Sequence, residues 1–293
     1  MTDQPAADLE IEARVAALEA AVARLVDIVE PSLAASHLAA PIAFPWQKEV
    51  AQHEFVARFF ALLDLGESLI KYSAALALAA LCHAQPASEQ AATEFLRQPA
   101  PLGGWITSLR NTLNDPAVNT WPIEILRGIF RRPNTKPTDT ARYLFDEFVR
   151  IRNRERGHGS QQPDGYYEDL YRNNYMSVHD CVRASTHVRL PLVYLHAVDH
   201  REGRYAYKVT LLMGVSPATL SEPIHTSIRV PVRSTCLWDR GAFLLPLNDF
   251  LVHQYCRTCY MEHSFFSERI TAEQVAFHSY IGNHRQTVDR ARE

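Results

Sequence analysis

The apolar residues of this chain change their period once, near residue 189, and that change bounds what the chain can fold into. Before it they recur every three to four residues. After it they gather into short β-branched and aromatic runs set off by turn residues. Helical text followed by strand text predicts an α+β protein, an N-terminal helical bundle followed by a small β-rich domain. The chain has 293 residues, enough for one large core or two smaller ones.

Three parts follow from this reading. Residues 1–46 hold a coiled-coil-like helix and a linker. Ile11, Val15, Leu18, Val22, Leu25 and Val29 alternate in steps of four and three, an a/d seam that fits a helix folded on the body or a short dimer coil. Pro31, Pro41 and Pro45 mark the linker. Residues 47–188 form the helical domain. A second helical region is expected over 47–83, with Phe55, Phe59, Leu62, Leu63, Leu69, Ile70 and Leu76 at helical spacing, and Gln85–Pro86 ends it. Shorter helices are expected over 88–97 and 104–113. A further helix runs from about 140 to 154 behind a cap at Thr138 or Asp139, and another covers 165–188. Residues 189–293 form the β-rich domain. Its strands are expected over 192–198, 205–213, 225–232 and 242–247, with Glu202–Gly203, Ser216–Pro217, Glu222–Pro223 and Asp239–Arg240–Gly241 as turns.

Composition narrows the class. Hydrophobic residues make up 47% and charged residues 22%, a globular balance. A net charge of -3 excludes a general basic coat for nucleic acid. The longest apolar run, Ala74 to Cys82, is far short of the roughly 20 residues a membrane span needs, so no membrane is expected. The acidic, polar start carries no secretory signal, and five cysteines make no disulfide framework; both point to the cytoplasm.

The stretch that carries chemistry is Arg150-Ile151-Arg152-Asn153-Arg154-Glu155-Arg156-Gly157-His158-Gly159. In an unbroken helix Arg152 and His158 would lie about 120° apart. A helix ending at Gly157 lets the chain turn back, so that His158 faces the last turn. The helix C-terminus favours a cationic imidazole. Such a pair suits phosphodiester chemistry. His158 can take the proton of a ribose 2′-hydroxyl or return one to a leaving oxygen. Arg152 can hold non-bridging oxygens through two N–H groups, and Asn153 can hold the ring or a phosphate. Charge concentrates here. Between Arg127 and Ser160 nine cations (Arg127, Arg131, Arg132, Lys136, Arg142, Arg150, Arg152, Arg154, Arg156) face four acids (Asp139, Asp146, Glu147, Glu155), a balance of +5. Arg150, Arg154 and Arg156 are therefore candidate RNA phosphate contacts. A basic helix end with a glycine stop also arises for dipole reasons alone. No carboxylate pair of a metal nuclease stands out.

The stretch Arg152-Asn153-Arg154-Glu155-Arg156-Gly157-His158 resembles the motif of the HEPN (higher eukaryotes and prokaryotes nucleotide-binding) family. That motif is an arginine, a polar residue, then a histidine after four to six intervening residues. The resemblance covers roughly residues 47–188. It implies a helical bundle that pairs into a homodimer through its motif helices. It also implies a metal-independent ribonuclease, requiring no catalytic cofactor, of a toxin–antitoxin or antiviral system with an antitoxin or other defence subunit as partner. Other members of the family are inactive and bind nucleotide, RNA or protein, and that alternative stays open. The C-terminal Leu-Leu-Pro-Leu, Cys256-Arg-Thr-Cys259 and Tyr280-Ile-Gly-Asn-His284 resemble a small module that follows such helical domains.

Cys256 and Cys259 make half of a structural zinc site, with His253 and His263 adjacent and Cys236, His278 and His284 as unspaced completions; a knuckle without metal is the plainer reading. Cys82 and Cys181 read as packed thiols, and His179 as a surface histidine or one that reaches the cleft. Tyr166, Tyr167 and Tyr171 fit packing better than base stacking. No phosphate-binding glycine loop and no G-x-S-x-G elbow is present.

Overall fold

A computed structural model describes residues 35–131, 136–157, 162–241, 243–247 and 249–289. The Ile11–Val29 seam, Pro31 and His158 lie outside the described residues. The architecture is α+β, with the helices N-terminal and two antiparallel sheets C-terminal.

The helices are α1 (Ala40–Ala51), α2 (Phe55–Ala84), α3 (Glu89–Glu94), α4 (Leu102–Asn114), α5 (Trp121–Phe130), α6 (Asp139–Arg142), α7 (Val149–Gly157) and α8 (Asp164–Ala184). Thr138 caps α6, its hydroxyl accepting from the Ala141 N–H at 3.1 Å. A π-turn over Tyr143–Phe148 joins α6 to α7 without a break. One expectation is corrected here. Pro41 and Pro45 lie in α1 rather than a linker, because Pro41 takes the first turn, where no N–H is missed. The helical region expected over 47–83 holds the end of α1 and most of α2, separated by extended Gln52 and Glu54. Helix α5 was not foreseen.

Helix α2 is the spine. It has the length and hydropathy to cross a bilayer, yet 89% of its most apolar window is buried inside the protein, as in a core helix. Gly66 sets how close α7 comes to it, because a Cβ there would collide with the Phe148 ring just before α7. Phe148, Leu144 and Ile151 pack into the same core as Phe59, Leu62 and Leu69.

The first sheet runs β3 (Ala218–Thr219), β2 (Arg204–Leu211), β1 (Leu192–Arg201), β5 (Thr235–Trp238), β6 (Leu244–Pro246), with β4 (Ile224–Thr226) also on β2. Glu202 (φ 51°) and Gly203 (φ 75°) turn β1 into β2, both in the left-handed region as a tight hairpin requires. The second sheet is a meander of β7 (Leu251–Tyr255), β8 (Glu262–Ile270), β9 (Gln274–Ser279) and β10 (His284–Asp289). Leu192, Leu237, Leu251, Phe266 and Tyr280 join the helical residues in one continuous core. Backbone bonds stitch the halves. The Ala100 N–H donates to Glu268 O at 3.0 Å, and the Ile270 N–H to Leu96 O at 2.6 Å.

His187, just past α8, is fully buried. The Ser73 hydroxyl donates to Leu69 O at 2.7 Å, so it accepts from the His187 Nε2–H at 2.8 Å. Burial pushes His187 from 6.5 down to about 3. The unfolded chain binds this proton near pH 6.5 and the folded chain does not. Stability from the neutral ring is therefore whole above that value and lost as pH falls from it. Between pH 7.5 and 5.0 the wild type should lose about 2 kcal/mol more than H187Q in urea titrations. Equal losses would show that the ring titrates normally.

Candidate functional site

The site begins with charges inside α2. Asp64, Glu67 and Lys71 recur at helical spacing on one face and are all buried. Buried charges need partners, and α7 supplies two. Arg152 donates Nε–H to Glu67 Oε1 at 2.8 Å and Nη2–H to Oε2 at 3.2 Å, a two-point clamp. Its Nη1 donates to Asn153 Oδ1 at 3.0 Å. Arg156 donates from Nη2 to Asp64 Oδ1, and its Nε lies 2.9 Å from Glu67 Oε1 without hydrogen-bond alignment. Lys48 of α1 closes on the other Asp64 oxygen at 2.8 Å.

The β-rich half reaches the same carboxylate. Tyr280, past β9, donates its hydroxyl to Glu67 Oε2 at 3.0 Å. Lys71 Nζ lies 5.3 Å from the centre of the Tyr280 ring and 3.9 Å from Glu268 of β8. Burial by itself raises the Glu67 carboxyl. The Arg152 hydrogen bond and the charges of Arg156, Arg152 and Lys71 outweigh it and hold the group below its ordinary 4.5. Burial lowers Lys71, only partly offset by Glu268 and Glu67. Burial, then the Glu67 charge, raises Tyr280.

These contacts tie two of the expected site residues into the fold. Arg152 and Arg156 are both ion-paired within the fold rather than simply presented to solvent. Arg152 keeps 27% of its side chain exposed, against 4% for Glu67. Arg150, Asn153 and Arg154 are exposed on α7, with Arg154 Nε on Glu155 at 2.5 Å. Asp64 and Glu67 are a carboxylate pair the sequence did not reveal, and they converge on Arg156. Tyr166 donates to Glu155 at 2.7 Å, while Tyr167 and Tyr171 are buried. His179, read as a surface residue, is buried on α8 with Nε2 3.0 Å from Glu49 Oε2.

A second cluster lies at the ends of the two C-terminal hairpins. Cys256 and Cys259 come together with His263 and His284, and their four ligand atoms all lie within 4.8 Å of one another. The other candidates stand apart. Cys236 packs in the first sheet, His253 lies against Tyr194, and His278 bonds Asn283 at 2.6 Å. The C-x2-C spacing pointed to the thiols, but nothing in spacing selects His284, which a separate hairpin delivers.

Comparison with family models, curated proteins and solved structures finds no match, so the function rests on these residues and the motif they carry.

Proposed function

We propose that this chain is a metal-independent endoribonuclease of bacterial cytoplasmic defence or toxin type, acting at Arg152, Asn153 and His158 in the cleft of a homodimer. One observation carries the reading. Arg152 is locked by Glu67 and Asn153 while partly exposed, on a helix that ends at Gly157, directly before His158. A guanidinium fixed by a buried carboxylate is preorganised; it spends no ordering entropy when a phosphate arrives. The π-turn ahead of α7 fits a functional site.

The reaction follows from these groups. His158 removes the ribose 2′-proton. The 2′-oxygen bonds to phosphorus and the bond to the 5′-oxygen breaks. A cationic His158 across the dimer cleft gives the leaving oxygen its proton. Arg152 neutralises the charge gathering on the non-bridging oxygens. The products are a 2′,3′-cyclic phosphate and a 5′-hydroxyl. Arg150 and Arg154 hold the flanking backbone.

The test is to incubate the desalted full chain with a mixed RNA pool, without added divalent metal, and to sequence the ends. Cyclic phosphate on one side and 5′-hydroxyl on the other are expected. Intact RNA, or 3′-hydroxyl ends, would overturn the mechanism. The exposed Arg150, Asn153 and Arg154 on α7 support a second reading, a non-catalytic RNA- or protein-binding module. It predicts RNA retarded on a gel and left uncut.

A further inference from the structure

We infer that Cys256, Cys259, His263 and His284 bind one zinc ion, which clamps the β7–β8 hairpin to the β9–β10 hairpin. Tetrahedral zinc holds sulfur at about 2.3 Å and nitrogen at about 2.0–2.1 Å, so its ligand atoms stand about 3.3–3.8 Å apart. Cys256 Sγ and His284 Nδ1 are 3.3 Å apart, Cys259 Sγ and His263 Nε2 are 3.1 Å apart, and no pair exceeds 4.8 Å. Small side-chain rotations close the set on a metal. Two thiolates and two imidazoles are a closed donor set that suits zinc and leaves no open position, so the site is structural.

The surroundings are shaped for those ligands. The Thr258 N–H points at Cys256 Sγ at 3.4 Å. Cys256 N–H donates to Met261 O at 2.8 Å and Tyr260 N–H to Cys256 O at 3.0 Å, with Tyr260 in the left-handed region at φ 62°. This tight loop turns both sulfurs to one side. His263 Nδ1 lies 2.8 Å from Ser279 Oγ. With that nitrogen donating to the serine, Nε2 offers its lone pair inward, the usual second-shell arrangement of a metal histidine. Across the site Gly282 (φ +65°) makes room for the His284 ring. A Cβ there would sit 2.6 Å from Nε2 and 2.8 Å from Cε1.

There is also a stability reason for a metal. Among the described residues, the buried apolar cluster beside the site is Cys256, Phe265 and Phe277, with Val252, Val275 and Val288 half-buried around it. So small a cluster gains little from burial, and a metal adds to it. The clamp also reaches the candidate site. Tyr280, on Glu67, lies four residues before His284 in the same turn. Holding His284 therefore holds Tyr280 against the carboxylate that positions Arg152.

The experiment uses the untagged full chain, purified from zinc-supplemented culture and dialysed. Elemental analysis should find about one zinc per chain. Titrating the thiols of the wild type with a mercurial should release it. Cobalt exchanged into the site should give thiolate charge-transfer absorption and tetrahedral d–d bands. C256S and H284A should each lose at least about nine-tenths of the zinc, while C82S keeps it. A wild type without zinc, or one whose zinc resists thiol modification, overturns the site. Zinc kept in H284A with an unchanged cobalt spectrum overturns the four-ligand set. The wild-type measurements decide the matter even if a variant fails to fold. None of them depends on RNA cleavage, so failure here is distinct from failure of the ribonuclease reading.

Discussion

E67A should be the most destabilising substitution at the candidate site, costing about 3 kcal/mol or more. Breaking a buried ion pair by removing one partner typically costs about 3–5 kcal/mol, since an uncompensated charge stays behind. Glu67 serves Arg152, Arg156 and Tyr280 at once. Two factors pull the figure toward the lower end. Each arginine keeps about a quarter of its side chain in solvent, and Arg156 retains Asp64. The Tyr280 hydroxyl has no such relief; it is buried and would lose its acceptor. E67Q should cost less, because the amide oxygen still accepts from Tyr280. The two variants also differ from wild type in acid. The Glu67 carboxyl is held below its ordinary 4.5, so its contribution is whole above that value and fades as pH falls through the lower folded one. Urea unfolding at pH 7 and pH 4 reads both effects. A cost under about 1 kcal/mol for E67A would show that the cluster is a solvated surface network.

That cluster also marks where sequence reading stopped. The switch from helical to strand text near residue 189, the Thr138 cap and the Glu202–Gly203 turn were legible, since each depends on local chemistry. The buried Asp64, Glu67 and Lys71 were not singled out, although their spacing inside an apolar helix was on view. An acid or lysine on such a face signals a partner elsewhere in the chain, and Glu67 finds Arg152, 85 residues away. Strands β7 to β10 were missed for another reason. Several of their buried positions in β7 and β8 are polar, His253, His263, Ser264 and Ser267, so the apolar runs are short. His284 had no readable link to Cys256, because the meander of the second sheet, not the spacing, joins them.

H158A should remove RNA cleavage, by about 10²–10⁴-fold, and leave the melting temperature of the chain where it was. Proton transfer by a positioned side chain contributes a factor of that size. The core and the Glu67 network among the described residues are built from other side chains, so the substitution leaves those contacts in place. Arg152 should behave differently. R152K keeps the charge but loses the planar fork that meets both Glu67 oxygens, so it should lower stability and turnover together. The pair of variants therefore separates proton transfer from positioning, which either variant alone leaves mixed. The wild-type rate should also follow a bell-shaped pH profile, since the proposed mechanism uses one histidine as a neutral base and another as a cationic acid. If H158A cleaves as fast as wild type, the nuclease activity belongs to another site or another protein. If neither cleaves but both retard RNA, and R150A with R154A abolishes that retardation, the exposed face of α7 is a phosphate clamp and the chain a binding module.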